Sequence, residues 1–202
     1  MTDERRPLLL AAACLLVFVA LLVLVAVGGP VTALDHSVQD GLARHPGRPL
    51  LDLSSDVTDV LSPLVDALIL AVGALGVAWR RRLLAPLVAV GLTGWAMAAT
   101  VVVLKHAVSR PAPGQIAGTG GLSFPSGHTA AALVCFGALA LLVSVERPGW
   151  RRPLLAGVAA ITALVAAALV YAGHHWLSDT VASIALGVAL LVPLHRWLTR
   201  TA

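Results

Sequence analysis

The sequence predicts an all-α protein, a bundle of six transmembrane helices, and three observations carry that prediction. Of the 202 residues, 58% are hydrophobic and only 12% are charged, with a mean hydropathy of +0.91. Soluble domains are about half apolar and a quarter charged, so this chain cannot cover itself with a water-soluble surface. The apolar residues also gather into runs of the ~20 residues that a helix needs to cross a ~30 Å hydrocarbon core. Finally, the runs do not alternate polar with apolar as barrel strands would.

The first run, residues 8–28, follows a short charged lead of Asp3, Glu4, Arg5 and Arg6. It exceeds the apolar core of a signal peptide, about 7–15 residues, and reads as a first membrane helix, with a cleaved signal as the lesser alternative. Residues 30–56 are too long for a hairpin. Asp35, His36 and Asp40 suggest a polar loop, and Leu50, Leu51 and Leu53 an interfacial amphipathic stretch after it. The remaining spans are 57–79, closed by Arg80, Arg81 and Arg82; 83–104, closed by Lys105; 126–145, closed by Glu146 and Arg147; 153–172; and 179–198. The whole chain, 1–202, reads as one membrane domain.

The net charge of +4 does not form one patch, which excludes a nucleic-acid surface. The basic residues instead mark topology. With the N-terminus inside, ten arginines (5, 6, 80, 81, 82, 147, 151, 152, 196 and 200) are cytoplasmic, and only Arg44, Arg48, Lys105 and Arg110 lie opposite. By the positive-inside rule both termini are expected in the cytoplasm. Cys14 and Cys135 both lie in apolar runs and suggest no disulfide framework.

The outer segments Lys105 to His128 and Gly173 to Asp179 concentrate polar chemistry on one face. Phe124-Pro125-Ser126-Gly127-His128-Thr129 opens the fourth helix. Ser126 can cap that helix, and Gly127 lets an anion approach the backbone. The free first-turn N–H groups then form an anion site, beside which His128 supplies a proton donor near neutral pH. The plainer reading is an ordinary capped helix start. Gly173-His174-His175-Trp176-Leu177-Ser178-Asp179 opens the sixth helix. Its i, i+4 spacing lets Asp179 hold one imidazole nitrogen of His175 and leave the other free to attack. Interfacial histidines beside Trp176, or metal ligands with His128, are the alternatives, although no HExxH-like pattern is present. Lys105 and Arg110 add a cationic loop, which alone would read as snorkelling at a helix end.

In this order and on one face, a basic segment, Pro-Ser-Gly-His and His-x-x-x-Asp resemble the type 2 phosphatidic acid phosphatase (PAP2) family, in the superfamily shared with vanadium haloperoxidases. The resemblance implies a six-helix bundle of that type and a cofactor-free, metal-free lipid-phosphate phosphatase. His175 would attack phosphorus to form a phosphohistidine, Asp179 would orient it, and His128 would protonate the leaving alkoxide. Lys105, Ser126 and Gly127 would bind phosphate oxygens, with membrane lipid phosphates as the substrate and the inner membrane of a bacterium as the setting. The pattern departs from the family at two arginines. Lys, six residues, then Arg-Pro meets Ala112-Pro113 here, and Ser-Arg ahead of the histidine meets Ala168-Leu169. Arg110 is the candidate replacement for the first. The missing arginines also motivate a second reading, a non-catalytic lipid-phosphate binder. A transporter is a third idea, resting on Asp59 and Asp66, seven residues apart in the second run.

Overall fold

The computed structural model describes residues 5–44, 48–113 and 121–201. The acidic lead Asp3–Glu4 and parts of two expected outer segments, 45–47 and 114–120, lie outside the described residues. The helices are α1 (Arg5–Val27), α2 (Pro30–Ala43), α3 (Arg48–Val60), α4 (Pro63–Arg81), α5 (Ala85–Val108), α6 (Gly127–Glu146), α7 (Arg151–Tyr171) and α8 (Leu177–Arg200), with a 3-10 turn at Pro148–Trp150. Among the described residues, six helical segments are long and apolar enough to cross a membrane: α1, α3 with α4, α5, α6, α7 with its leading turn, and α8.

Two elements differ from the sequence expectation. Residues 30–43 are helical rather than a polar loop. Pro30 sits at the start of that helix, where its missing N–H is no loss. The second span is broken, because Ser62, which precedes Pro63, is extended at φ −78° and ψ 152°. A proline ring disfavours the α conformation in the residue before it, so α3 stops and α4 starts afresh.

The bundle is built around α6, which packs against α4, α5, α7 and α8. Its inner surface is made of small side chains, and close approach follows from them. A Cβ added to Gly137 would lie 2.5 Å from Leu191 on α8, and one added to Gly187 on α8 would lie 2.6 Å from Leu133 on α6. The two helices thus lock reciprocally, leucine over glycine in both directions, as expected where van der Waals packing drives association in lipid. Gly73 on α4 accepts Leu139 of α6 in the same way. Facing outward instead are large apolar side chains such as Leu16 and Trp95, both 70% exposed. In a water-soluble protein such surfaces would aggregate; around a bundle of this length they are the lipid face.

Alternating spans bring the C-terminus of α5 and the N-termini of α6 and α8 to one end. Arg80 and Arg81 meet Glu146 at the other.

Candidate active site

The loop carrying His175 is shaped by the end of α7. Gly173 adopts φ +69°; its N–H donates to the Val170 carbonyl and the His174 N–H to the Leu169 carbonyl. This is the paired closure of a helix ending on a left-handed glycine. The chain then turns back into α8, whose first helical turn holds Asp179. His175 is buried and Asp179 is fully enclosed, with His175 Nδ1 3.5 Å from Asp179 Oδ2. That separation is longer than a settled hydrogen bond, and unliganded sites often tighten only around substrate. With Nδ1 turned to the carboxylate, Nε2 is the nitrogen left for chemistry.

Asp179 is itself held from three sides. Its Oδ2 accepts from the Trp176 backbone N–H at 2.9 Å. Its Oδ1 accepts from Arg110 Nη1 at 2.6 Å. Its backbone carbonyl accepts from Ser183 Oγ at 2.7 Å and from the Ser126 N–H at 3.5 Å. The last bond sets the start of α6 against the start of α8.

At the start of α6, Ser126 is fully buried and its Oγ accepts from the Thr129 N–H at 3.3 Å. It is therefore the helix cap. The first-turn N–H groups of Gly127 and His128, which lie ahead of the intrahelical ladder, remain for an anion. His128 lies within the electrostatic reach of His175, Lys105 and His174. Lys105, in the last turn of α5, donates to the Leu122 carbonyl and feels the charge of Asp179. The structure thus brings His175, Asp179, His128, Lys105, Ser126 and Gly127 to one locus.

Arg110, expected as a phosphate contact, arrives at the same locus paired with carboxylates. Ser109, in the left-handed region, ends α5, and the Arg110 carbonyl accepts from the Ser123 N–H at 2.8 Å. From that anchored backbone Nη1 reaches Asp179 and also Ser178 Oγ at 2.8 Å, while Nη2 reaches Asp35 Oδ2 at 2.7 Å. The guanidinium carbon lies 5.1 Å from the Trp176 ring centroid. In this structure the guanidinium is thus held by two buried carboxylates and an aromatic face.

The sequence reading missed Asp35 and Gln39, which it placed in a polar loop. On α2 they are i, i+4 neighbours on one face. Asp35 is 1% exposed; its Oδ1 accepts from the Ser178 N–H at 2.9 Å and its Oδ2 from Ser178 Oγ at 2.5 Å. A carboxylate thereby meets the positive N-terminal end of α8. Gln39 Nε2 donates to the Val170 and His175 carbonyls at 2.9 and 3.3 Å, bracing the loop that carries His175. The available signal was the apolar setting of Val31, Ala33 and Leu34 around Asp35, unusual for an open loop.

The two family-motif departures have structural counterparts. Leu169 is buried in a cluster with Ala132 and Val165, so that position has become core. Ala112 is also buried and lines a cavity of about 540 Å³ beside His36 and Trp176. Of the two intramembrane acids, Asp66 is fully buried without a hydrogen-bond partner among the described residues, whereas Asp59 is exposed. Among the described residues no group of three or more His, Cys, Asp or Glu is placed to hold a metal ion.

An apolar groove of about 550 Å³ runs between α4, α5 and α6. Leu70, Ala74 and Gly94 line its length, and it also touches Lys105 and Gly127, so a chain lying in it would carry its head to the site.

Fold and site together define a helical integral-membrane phosphatase. The family model of the PAP2 superfamily matches residues 82–201, more than half of the chain, and the chain belongs to that superfamily. Its structure is similar to that of a transmembrane PAP2-type phosphatidylglycerolphosphate phosphatase from Bacillus subtilis. The TM-score is 0.82 at 18% identity, covering 95% of this chain and 97% of that one. A sequence search of curated proteins finds no match.

Proposed function

We propose that the protein hydrolyses phosphomonoester or pyrophosphate groups of membrane lipids through a phosphohistidine on His175. The observation that carries this reading is the apolar groove whose polar end is Lys105 and the first turn of α6. A phosphate seated there has its lipid tail in an environment matched to it. His175 Nε2 attacks phosphorus, the bond to the lipid oxygen breaks, and the leaving alkoxide takes a proton from imidazolium His128. His128, now neutral, removes a proton from water as that water attacks the phosphohistidine, which releases inorganic phosphate and restores both histidines. Asp179 keeps the His175 proton on Nδ1 throughout.

The substrate class is phosphatidic acid, phosphatidylglycerol phosphate or polyprenyl phosphate and pyrophosphate. The name of the Bacillus subtilis neighbour supports the second. The positive-inside bias supports a site on the outer face with both termini cytoplasmic, and the membrane we propose is the inner membrane of a bacterium. A second reading, a lipid-phosphate binder without turnover, draws on the commitment of Arg110 to carboxylates and on the apolar Leu169. Losing bidentate phosphate contacts weakens transition-state stabilisation by about a few kcal/mol.

The test is phosphate release from a panel of lipid phosphates by the detergent-purified protein, with and without EDTA, beside His175→Ala and His128→Ala. Turnover that persists in EDTA and disappears in both variants is expected. Equal background release from all three proteins would overturn catalysis and favour the binder.

A further inference from the structure

We propose that the end of the bundle opposite the active site holds one anionic phospholipid of the adjoining leaflet, its phosphate on Arg151 and an acyl chain between α6, α7 and α8. The inference is independent of the reaction proposed above. Two cavities adjoin there. One, of about 250 Å³, has Ser144, Arg151, His195 and Thr199 beside the apolar Leu141, Val145 and Pro148. The other, of about 290 Å³, is apolar and runs into the bundle along Leu155, Ala159 and Val188. They share Leu141, Arg151 and His195 among their lining residues, so the polar side chains of the first sit beside the apolar groove of the second. That is the shape of a lipid head joined to its chain.

Two of the residues lining the first cavity, Arg151 and His195, carry ring or guanidinium N–H groups. Arg151 Nη2 lies 3.1 Å from His195 Nε2. A guanidinium can only donate, so His195 Nε2 accepts and the ring proton sits on Nδ1. Nδ1 is buried and has no hydrogen-bond partner among the described residues, so this residue of both cavity linings keeps an N–H without an acceptor. The neighbouring hydroxyls spend their own protons on the backbone, Ser144 on the Ala140 carbonyl at 2.5 Å and Thr199 on the His195 carbonyl at 3.0 Å.

Charge decides the occupant. The acid described at this end, Glu146, is taken by Arg80 and Arg81, and among the described residues no carboxylate forms an ion pair with Arg151. An unneutralised guanidinium at the mouth of an apolar groove complements a phosphodiester attached to an acyl chain, and basic pockets between membrane helices bind anionic head groups in this way. Phosphatidylcholine has the chain without the net charge; inorganic phosphate has the charge without the chain.

The experiment titrates the full-length protein in detergent with dioleoylphosphatidylglycerol or dioleoylphosphatidylcholine and counts retained lipids by native mass spectrometry. The wild type is expected to prefer phosphatidylglycerol. Arg151→Gln should lower its affinity on the order of tenfold, to the level of phosphatidylcholine, as removal of one charge-assisted contact implies. Ala159→Trp, on an exposed groove position, should lower the affinity of both lipids while Arg151 stays in place. Each variant is compared with wild type, so lipid held elsewhere cancels, and Ala159→Trp reads the site even if Arg151→Gln does not fold. An unchanged phosphatidylglycerol preference in Arg151→Gln, unchanged binding in Ala159→Trp, or displacement of the lipid by an equal concentration of inorganic phosphate would overturn the proposal.

Discussion

Arg110 Nη1 donates to Asp179 Oδ1 at 2.6 Å, and Asp179 is the residue whose other carboxylate oxygen faces His175. In the proposed mechanism this contact makes Arg110 part of the apparatus that aims His175. Arg110→Gln would leave two carboxylates, Asp35 and Asp179, buried and unpaired. Breaking one side of such a buried network destabilises by about 3–5 kcal/mol. The expected result is a clear drop in melting temperature in detergent, together with loss of turnover. A phosphate contact would behave differently, raising KM while leaving the melting temperature unchanged.

Asp35 acts one step further out. It bridges the Ser178 backbone and hydroxyl to Arg110, and so fixes the first turn of α8 relative to α5. Asp35→Asn preserves the shape and removes the charge. Because the residue reaches the chemistry only through Asp179 and the α8 turn, kcat should fall on the order of tenfold while KM stays within about twofold. Asp35→Glu should restore part of kcat. A rise in KM with unchanged kcat would move Asp35 into substrate binding instead.

The groove between α4, α5 and α6 makes a separable prediction. Gly94 lines it, and a Cβ added there meets no atom within 4 Å. Gly94→Leu should therefore fold at least as well as the wild type, since leucine favours a helix over glycine by about 1 kcal/mol, while filling the space that the proposed lipid tail would occupy. Activity on a long-chain lipid phosphate should drop through KM, and activity on a short-chain, water-soluble phosphomonoester should not change. Equal effects on both substrates would mean that the tail lies elsewhere.

The sequence was most readable where chemistry and hydropathy are local. The spans around α1, α5, α6, α7 and α8 follow from apolar run length, and the approach of His128, His175, Asp179 and Lys105 follows from their sharing one end of the bundle. What failed was long-range polar pairing. Asp35 and Arg110 are 75 residues apart in sequence, and no periodicity couples them. Asp35 therefore looked like loop polarity and Arg110 like a free cation. Pro63 was visible, yet run length alone hid the break that it makes between α3 and α4.

The same distinction between local motif and packed environment governs an attempt to restore the family pattern. Leu169 is 1% exposed and packed with Ala132 and Val165, and nothing in that cluster can pair with a guanidinium. Leu169→Arg must bury a charge or expel it by opening the α6–α7 contact. The expected loss is at least about 3 kcal/mol, seen as a lower melting temperature or a failure to accumulate. Ala112 faces a cavity of about 540 Å³ beside Trp176, so Ala112→Arg has room and should stay within about 1 kcal/mol of the wild type. Measured side by side, the pair asks whether the missing arginines are independent losses. A stable, more active Leu169→Arg would show that the α6–α7 core can open to seat a phosphate-binding arginine. The expected instability would mean that the core around Leu169 has no place for a guanidinium, which leaves Lys105 and the first turn of α6 as the proposed phosphate contacts.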